Sequence, residues 1–230
     1  MATSASIDLS VTARDLVSFA LLKLGVIKPD QDPDAAQLSR GVRELNLLLK
    51  SWMKYANMWR MTEGSFTATE GAATTNYTLT PVPHYVHQVR FSKTTATESE
   101  LLWIPRGEYF GLANKASTGT PQKYYVDYQR ETVKMYIHPV SAATQGGELF
   151  DYTYLRKFED VDSPNNALDI KQDWFDVVGW NLAARLAPDY AKGGSSLSQE
   201  ITAKANALLN EALGTDSKDA TPLFPPTAAG

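Results

Sequence analysis

The chain has 230 residues, 43% of them hydrophobic and 21% charged, a formal net charge of −4 and no cysteine. That is enough apolar material for one or two globular domains, and the acidic balance argues against a protein that grips nucleic acid with its whole surface. The absence of cysteine removes disulfides, thiolate metal sites and thiol nucleophiles. No stretch approaches the roughly 18–20 uninterrupted apolar residues of a membrane helix, and the first residues lack the basic-then-apolar pattern of a secretory signal.

Residues 1–11 are small and polar and read as a loose arm. Thr12 to Val26 follows as a helix. Thr12 and Asp15 have capping-box spacing, Leu16, Phe19, Ala20 and Leu24 recur at helical intervals, and Gly25 suits the end. A second helix is expected from Pro33 to about Trp59, capped by Asp32. Its stripe is Leu38, Val42, Leu45, Leu49, Trp52, Ala56 and Trp59. Gly41 inside that helix costs about 1 kcal/mol relative to Ala and marks a close helix crossing.

From residue 62 the period changes to two. Strands are expected at Gly64–Thr69, Asn76–Thr80, Val86–Ser92, Leu101–Ile104, Lys123–Gln129, Val133–His138 and Glu148–Phe158, with a helical turn or two at Arg106–Leu112. Helix returns at Lys171, its face carried by Trp174, Val177, Val178, Leu182 and Leu186, and Pro188 closes it. After a Gly-Ser break at 193–196, Ser198–Leu213 is a further helix that Gly214 ends. Residues 214–230 are Pro-rich and read as an extended arm.

The expected fold is therefore α+β and mainly helical. A helical hairpin (1–61) packs with the C-terminal helices (166–213) as a bundle, a small antiparallel β-domain (62–165) is inserted between them, and an arm (214–230) trails.

Chemistry is sparse. Phosphate loops, dinucleotide fingerprints, nucleophile elbows and zinc-protease motifs are missing. His84 and His87 sit three apart in a strand-like segment, hence on opposite faces; with His138 they read as ordinary surface or interface histidines. Glu63, Glu70, Glu98, Glu100 and Glu108 surround the β-region without a feature that selects a catalytic pair. The expectation is no enzyme, no cofactor and no metal. Arg40, Arg43, Lys50 and Lys54 share a flank of the long helix, either as a solvated face or as a lumen or groove touching DNA phosphates. The run Tyr124–Tyr128 reads as strand core and subunit interface.

The layout resembles the head-to-tail adaptor (connector) proteins of short-tailed bacteriophages. Leu24-Gly25, Ala35-Ala36, Leu45-Asn46-Leu47-Leu48 and Trp52 carry the match in the first two helices. Leu186-Ala187-Pro188-Asp189-Tyr190 carries it in the later one, with Ala191 where the family tends to have Gly. The resemblance covers about half the chain. It implies a structural virion protein at the head–tail junction, assembled in the host cytoplasm as a homo-oligomeric ring of twelve. The ring would bind the portal protein above and tail nozzle or fibre proteins below, and would pass double-stranded DNA without holding it. It also implies that the C-terminal arm reaches the portal, with Leu223, Phe224, Pro225 and Pro226 as anchors. The alternatives are another tail-completion protein or a cell-wall hydrolase acting during entry.

Overall fold

The computed structural model describes residues 9–55, 60–68, 76–92, 98–141, 149–190 and 195–216. It resolves into two compact units, one of residues 1–59 with 158–230 and one of residues 60–157.

In the first unit α1 (Ala13–Lys23) starts at a reciprocal capping box between Thr12 and Asp15. It stops at a Schellman motif: Gly25 adopts φ +68° and donates its N–H to Leu22 O, while the Val26 N–H bonds to Leu21 O. Glycine takes that left-handed conformation without steric cost. Helix α2 (Ala35–Trp52) starts at Asp34, which forms its own capping box with Gln37. Pro33 therefore precedes the cap instead of opening the helix. It is buried, as is Leu38 four residues inside, the positions of a hydrophobic staple. The expected stripe Leu38, Val42, Leu45, Leu49 and Trp52 is buried, while Ala56 and Trp59 lie outside the described residues. A Cβ on Gly41 would fall 2.5 Å from Val17 Cγ1, so α1 and α2 cross there with the Val17 side chain lying directly on the Gly41 backbone.

The chain returns to this unit at Phe158, makes a 3-10 turn at Gln172–Trp174, and enters α4 (Phe175–Tyr190) and α5 (Ser195–Asp216). Pro188 lies inside the last turn of α4 instead of ending it. Only one backbone bond is lost that close to the terminus. Gly214 is likewise passed by α5, which runs on to Asp216. Helix α4 is the hub: it packs against α1, α2 and α5, and its Val178, Leu182, Ala183 and Leu186 are fully buried. Asn181 ties α4 to α5, donating to Val177 O at 2.8 Å and to Ala205 O at 3.1 Å.

The segment 158–170 binds this unit together. Asn46 of α2 meets Val161 twice: its Nδ2 donates to Val161 O, and Val161 N–H donates to its Oδ1, both at 2.9 Å. One turn along, Lys50 Nζ donates to Phe158 O at 2.9 Å and pairs with Asp160 at 2.6 Å. At the start of α1, Ala13 N–H donates to Asn166 O and Arg14 N–H to Pro164 O. Two otherwise orphaned helix donors are satisfied in this way.

The second unit holds two four-stranded sheets. One runs in the order β1 (Met61–Thr67), β10 (Leu149–Leu155), β3 (Tyr85–Ser92), β4 (Glu98–Glu100), with all neighbours antiparallel. The other runs β2 (Asn76–Thr78), β8 (Val133–His138), β7 (Lys123–Tyr128), β5 (Leu102–Trp103). Phe91, Phe150 and Tyr152 of the first share a core with Val126, Met135 and Ile137 of the second, so the sheets pack face to face. The chain passes from β4 to β5 through Leu101, which is buried in that core and donates its N–H to Val89 O. His87 is a bulge in β3: Tyr154 pairs with Val86 and Thr153 with Gln88, so His87 has no register partner. A short helix, α3 (Arg106–Gly111), follows β5, and β6 (Thr118–Gly119) pairs with β9 (Val140–Ser141).

The expectation of a mainly helical bundle is overturned. Among the described residues the fold is mixed, with about 41% helix in five helices and about 27% strand in three sheets. Strands β4, β6 and β9 have only two or three residues, too few to show a period of two, and β4 sits in the TTATESE run whose composition reads as solvated loop. Nor is the β-region wholly antiparallel, since β5 runs parallel to β7 and β6 to β9.

Candidate interaction surfaces

The four basic residues singled out on α2 do not form a free cationic stripe. Arg40 pairs with Asp189 at 2.6 Å and lies 3.9 Å from Glu44, whose other oxygen pairs with Arg185 at 2.7 Å. Two arginines and two carboxylates thus close into a neutral network between α2 and α4. Lys50 is held by Asp160 and Phe158 O, as described above. Arg43 is exposed, and Lys54 lies with its Nζ 5.2 Å from the Tyr55 ring. The expected portal anchors Leu223, Phe224, Pro225 and Pro226 lie outside the described residues.

In the β-unit the outer face of the β7–β8 sheet is roofed by α3. Ile104, Tyr109 and Tyr125 form a small buried cluster, joined by Tyr136, with the Tyr109 and Tyr125 ring centres 5.8 Å apart. Phe110 is left 45% exposed at the rim, and the Arg106 guanidinium stands 4.9 Å from its ring centre. Arg106 also donates to the Tyr125 hydroxyl and to Asp127, each at 3.2 Å. Those hydrogen-bonded partners raise the Arg106 pKa, the Tyr125 contact first. The run Tyr124–Tyr128 therefore divides by strand alternation: Tyr124 enters the sandwich core and Tyr125 joins the outer cluster. Burial pushes the Tyr124 phenol well above its ordinary pKa.

Edge strands separate the guarded from the unguarded. Strand β4 ends one sheet with three exposed residues, Glu98, Ser99 and Glu100, and charge discourages further pairing. Among the described residues strand β5 ends the other, with Leu102 63% exposed and Trp103 42% exposed. Leu102 and Ile104 donate their N–H groups inward, to Gln122 O and Tyr124 O. By alternation the backbone of Trp103 faces the open edge. Sequence reading did not single out Leu102, Trp103 or Phe110, because exposure of one residue in an apolar run is invisible without its neighbours.

No protein-family model matches the chain, and no curated protein matches it.

What remains is the chemistry of the surfaces. Of the carboxylates weighed for catalysis, Glu63 and Glu98 both pair with Arg90, at 3.2 and 3.5 Å. Glu108 pairs with Lys123 at 2.9 Å. Glu70 lies outside the described residues. Among the described residues no group of three or more His, Asp or Glu side chains could hold a metal ion, and no helix is long and apolar enough to cross a membrane. The arrangement is suited to contact: an apolar open edge beside an aromatic–arginine cluster in one unit, and a charge-neutral helical face in the other.

Proposed function

We propose that this chain is a structural virion protein, a head-to-tail adaptor subunit that assembles as a ring, expected to be twelvefold, between portal and tail. The observation that carries the reading is the convergence of the separated segments behind the resemblance. Leu24, Leu45, Leu48, Trp52, Leu186 and Ala187, drawn from three helices, are buried in one core. The polar members of the same segments are used as well: Asn46 grips Val161, and Asp189 holds Arg40.

Electrostatics supports the same role. A lumen lined by closed ion pairs makes few phosphate contacts and lets DNA slide, whereas each unpaired cation in contact with phosphate adds to the grip. The open β5 edge, with Leu102 and Trp103, supplies the kind of apolar patch that a heterologous ring contact needs. The arm from residue 214 onward is the part assigned to the portal, with Leu223, Phe224, Pro225 and Pro226 as its anchors. Tail nozzle or fibre proteins would meet the opposite face of the ring.

The test is native mass measurement of the chain alone and mixed with portal. A twelvefold species that forms with portal supports the reading. A chain that stays monomeric with portal, yet clears peptidoglycan, replaces it with the hydrolase alternative.

A further inference from the structure

A groove of about 580 Å³ runs along α5 where it meets α4 and the end of α1. Trp180 and Ile201 line it together with Leu197, which is 42% exposed, and Ala203 and Ala207 continue the apolar wall. Lys23, Lys204 and Glu200 also line it, two cations and one carboxylate. Lys23 Nζ lies 5.2 Å from the centre of the Trp180 ring. An apolar, aromatic-lined trough with cationic donors is the geometry that receives an extended proline-rich segment, whose carbonyls have no internal partners.

We infer that this groove is the docking site of the chain's own segment Pro222–Pro226, Pro-Leu-Phe-Pro-Pro, folded back along α5. Two lengths select that occupant. The stretch of α5 that lines the groove, Leu197 to Ala207, spans ten residues, or about 15 Å at 1.5 Å per residue. Five residues in a polyproline conformation span about 15 Å at 3.1 Å each. The second length is reach. Ala207 lies nine residues before the end of α5, about 14 Å along its axis. The link from Asp216 to Pro222 extends to about 20 Å, so the segment arrives at Ala207 with little slack and runs on toward Leu197. Leu223 and Phe224 then supply the apolar side chains for Trp180, Leu197 and Ile201, and Lys23 and Lys204 donate to the segment's carbonyls.

The inference rests on the adaptor reading for its purpose only: docked, the portal anchors stay covered until the portal competes for them. The docking itself is tested without portal. A fluorophore-labelled peptide of residues 215–230 is titrated by anisotropy against the full chain and against the full chain carrying Leu223→Asp and Phe224→Asp, which empties the groove. The doubly substituted chain is expected to bind the peptide at least tenfold more tightly, because the native tail competes at an effective concentration of the order of millimolar. Adding Ala203→Glu, at an exposed wall position, abolishes that binding with an unchanged circular dichroism spectrum. Equal binding by both chains, no binding by either, or indifference to Ala203→Glu overturns the inference. So does a native dimer that the double substitution dissolves, which would make the occupant a second copy's tail. Portal binding is read separately, on the unsubstituted chain and on the doubly substituted one. Loss of portal binding on double substitution with no peptide binding by either chain sinks the groove alone, and peptide binding as expected with portal binding equal in the two chains sinks the portal role alone.

Discussion

Replacing Asn46 by Ala is expected to destabilise the helical unit by about 2–4 kcal/mol. Two hydrogen bonds of 2.9 Å are lost, and each is worth about 0.5–1.5 kcal/mol net. The larger part comes from what is left behind. Val161 is 5% exposed, so water cannot freely reach the N–H and carbonyl that Asn46 satisfied, and each abandoned group costs about 1–3 kcal/mol before local relaxation. For a chain of this length that corresponds to a fall in Tm of roughly 5–15 °C. Urea unfolding followed at 222 nm, where helix dominates, measures it. Asn46→Asp separates the two halves of the contact, since a carboxylate still accepts from Val161 N–H but faces the Val161 carbonyl without a proton to give. It should cost at least as much as Ala. The neighbouring Leu47→Ala, at a position 43% exposed, is the control and should stay within about 0.5 kcal/mol. An Asn46→Ala chain as stable as that control would refute the role given to the returning segment.

Gly41→Ala gains about 1 kcal/mol of helix propensity but drives a methyl to 2.5 Å from Val17 Cγ1, a branched side chain with one favoured rotamer in a helix. A net loss of about 1–2 kcal/mol in thermal melts is expected, and a gain would mean that the α1–α2 crossing is looser than described. The side-chain and backbone hydrogen bonds to Thr12 hold the Asp15 carboxyl below its ordinary 3.8. A lowered folded-state pKa stabilises above the ordinary value, and that stability is lost as pH falls through the lowered one. The stability gap between wild type and Asp15→Asn should therefore be full near neutral pH and shrink below pH 3.8; a gap that widens toward acid contradicts the cap. Tyr128→Phe removes the hydroxyl that accepts the Val86 N–H at 2.8 Å, so hydrogen exchange at Val86 should quicken by about tenfold, and unchanged protection would refute that bond. Leu102→Lys guards the β5 edge and is expected to weaken ring formation on portal while leaving the unfolding midpoint within about 0.5 kcal/mol of wild type; ring formation unchanged would remove β5 from the interface.

Local rules were legible where the interaction closes within a few residues. The Thr12–Asp15 box, the Gly25 stop and the α2 stripe from Leu38 to Trp52 need only neighbours one turn away. The start of α2 was misplaced by two residues because Asp32-Pro33 imitates a cap followed by a first-turn proline, while Asp34 wins through its reciprocal bond with Gln37. Pro188 reads as a stop, yet tertiary packing of Leu186 and Ala187 carries α4 two residues past it. The fate of the basic flank was not legible at all. Asp160 and Asp189, which take up Lys50 and Arg40, lie more than a hundred residues away in the sequence. The open β5 edge was hidden for a similar reason, since an edge is defined by the strand that fails to lie beside it.

The interrupted first unit carries a consequence for how the chain is made. Helices α1 and α2 leave the ribosome at least about 120 residues ahead of α4, the helix whose fully buried face completes their core. At roughly 5–20 residues per second that is a delay of about 6–25 s. The sandwich of residues 60–157 is contiguous, so it can close during that interval. Synthesis thus runs in the order exposed hairpin, finished sandwich, completed helical unit. For those seconds the apolar stripe from Leu38 to Trp52 is open to whatever meets nascent chains in the cell.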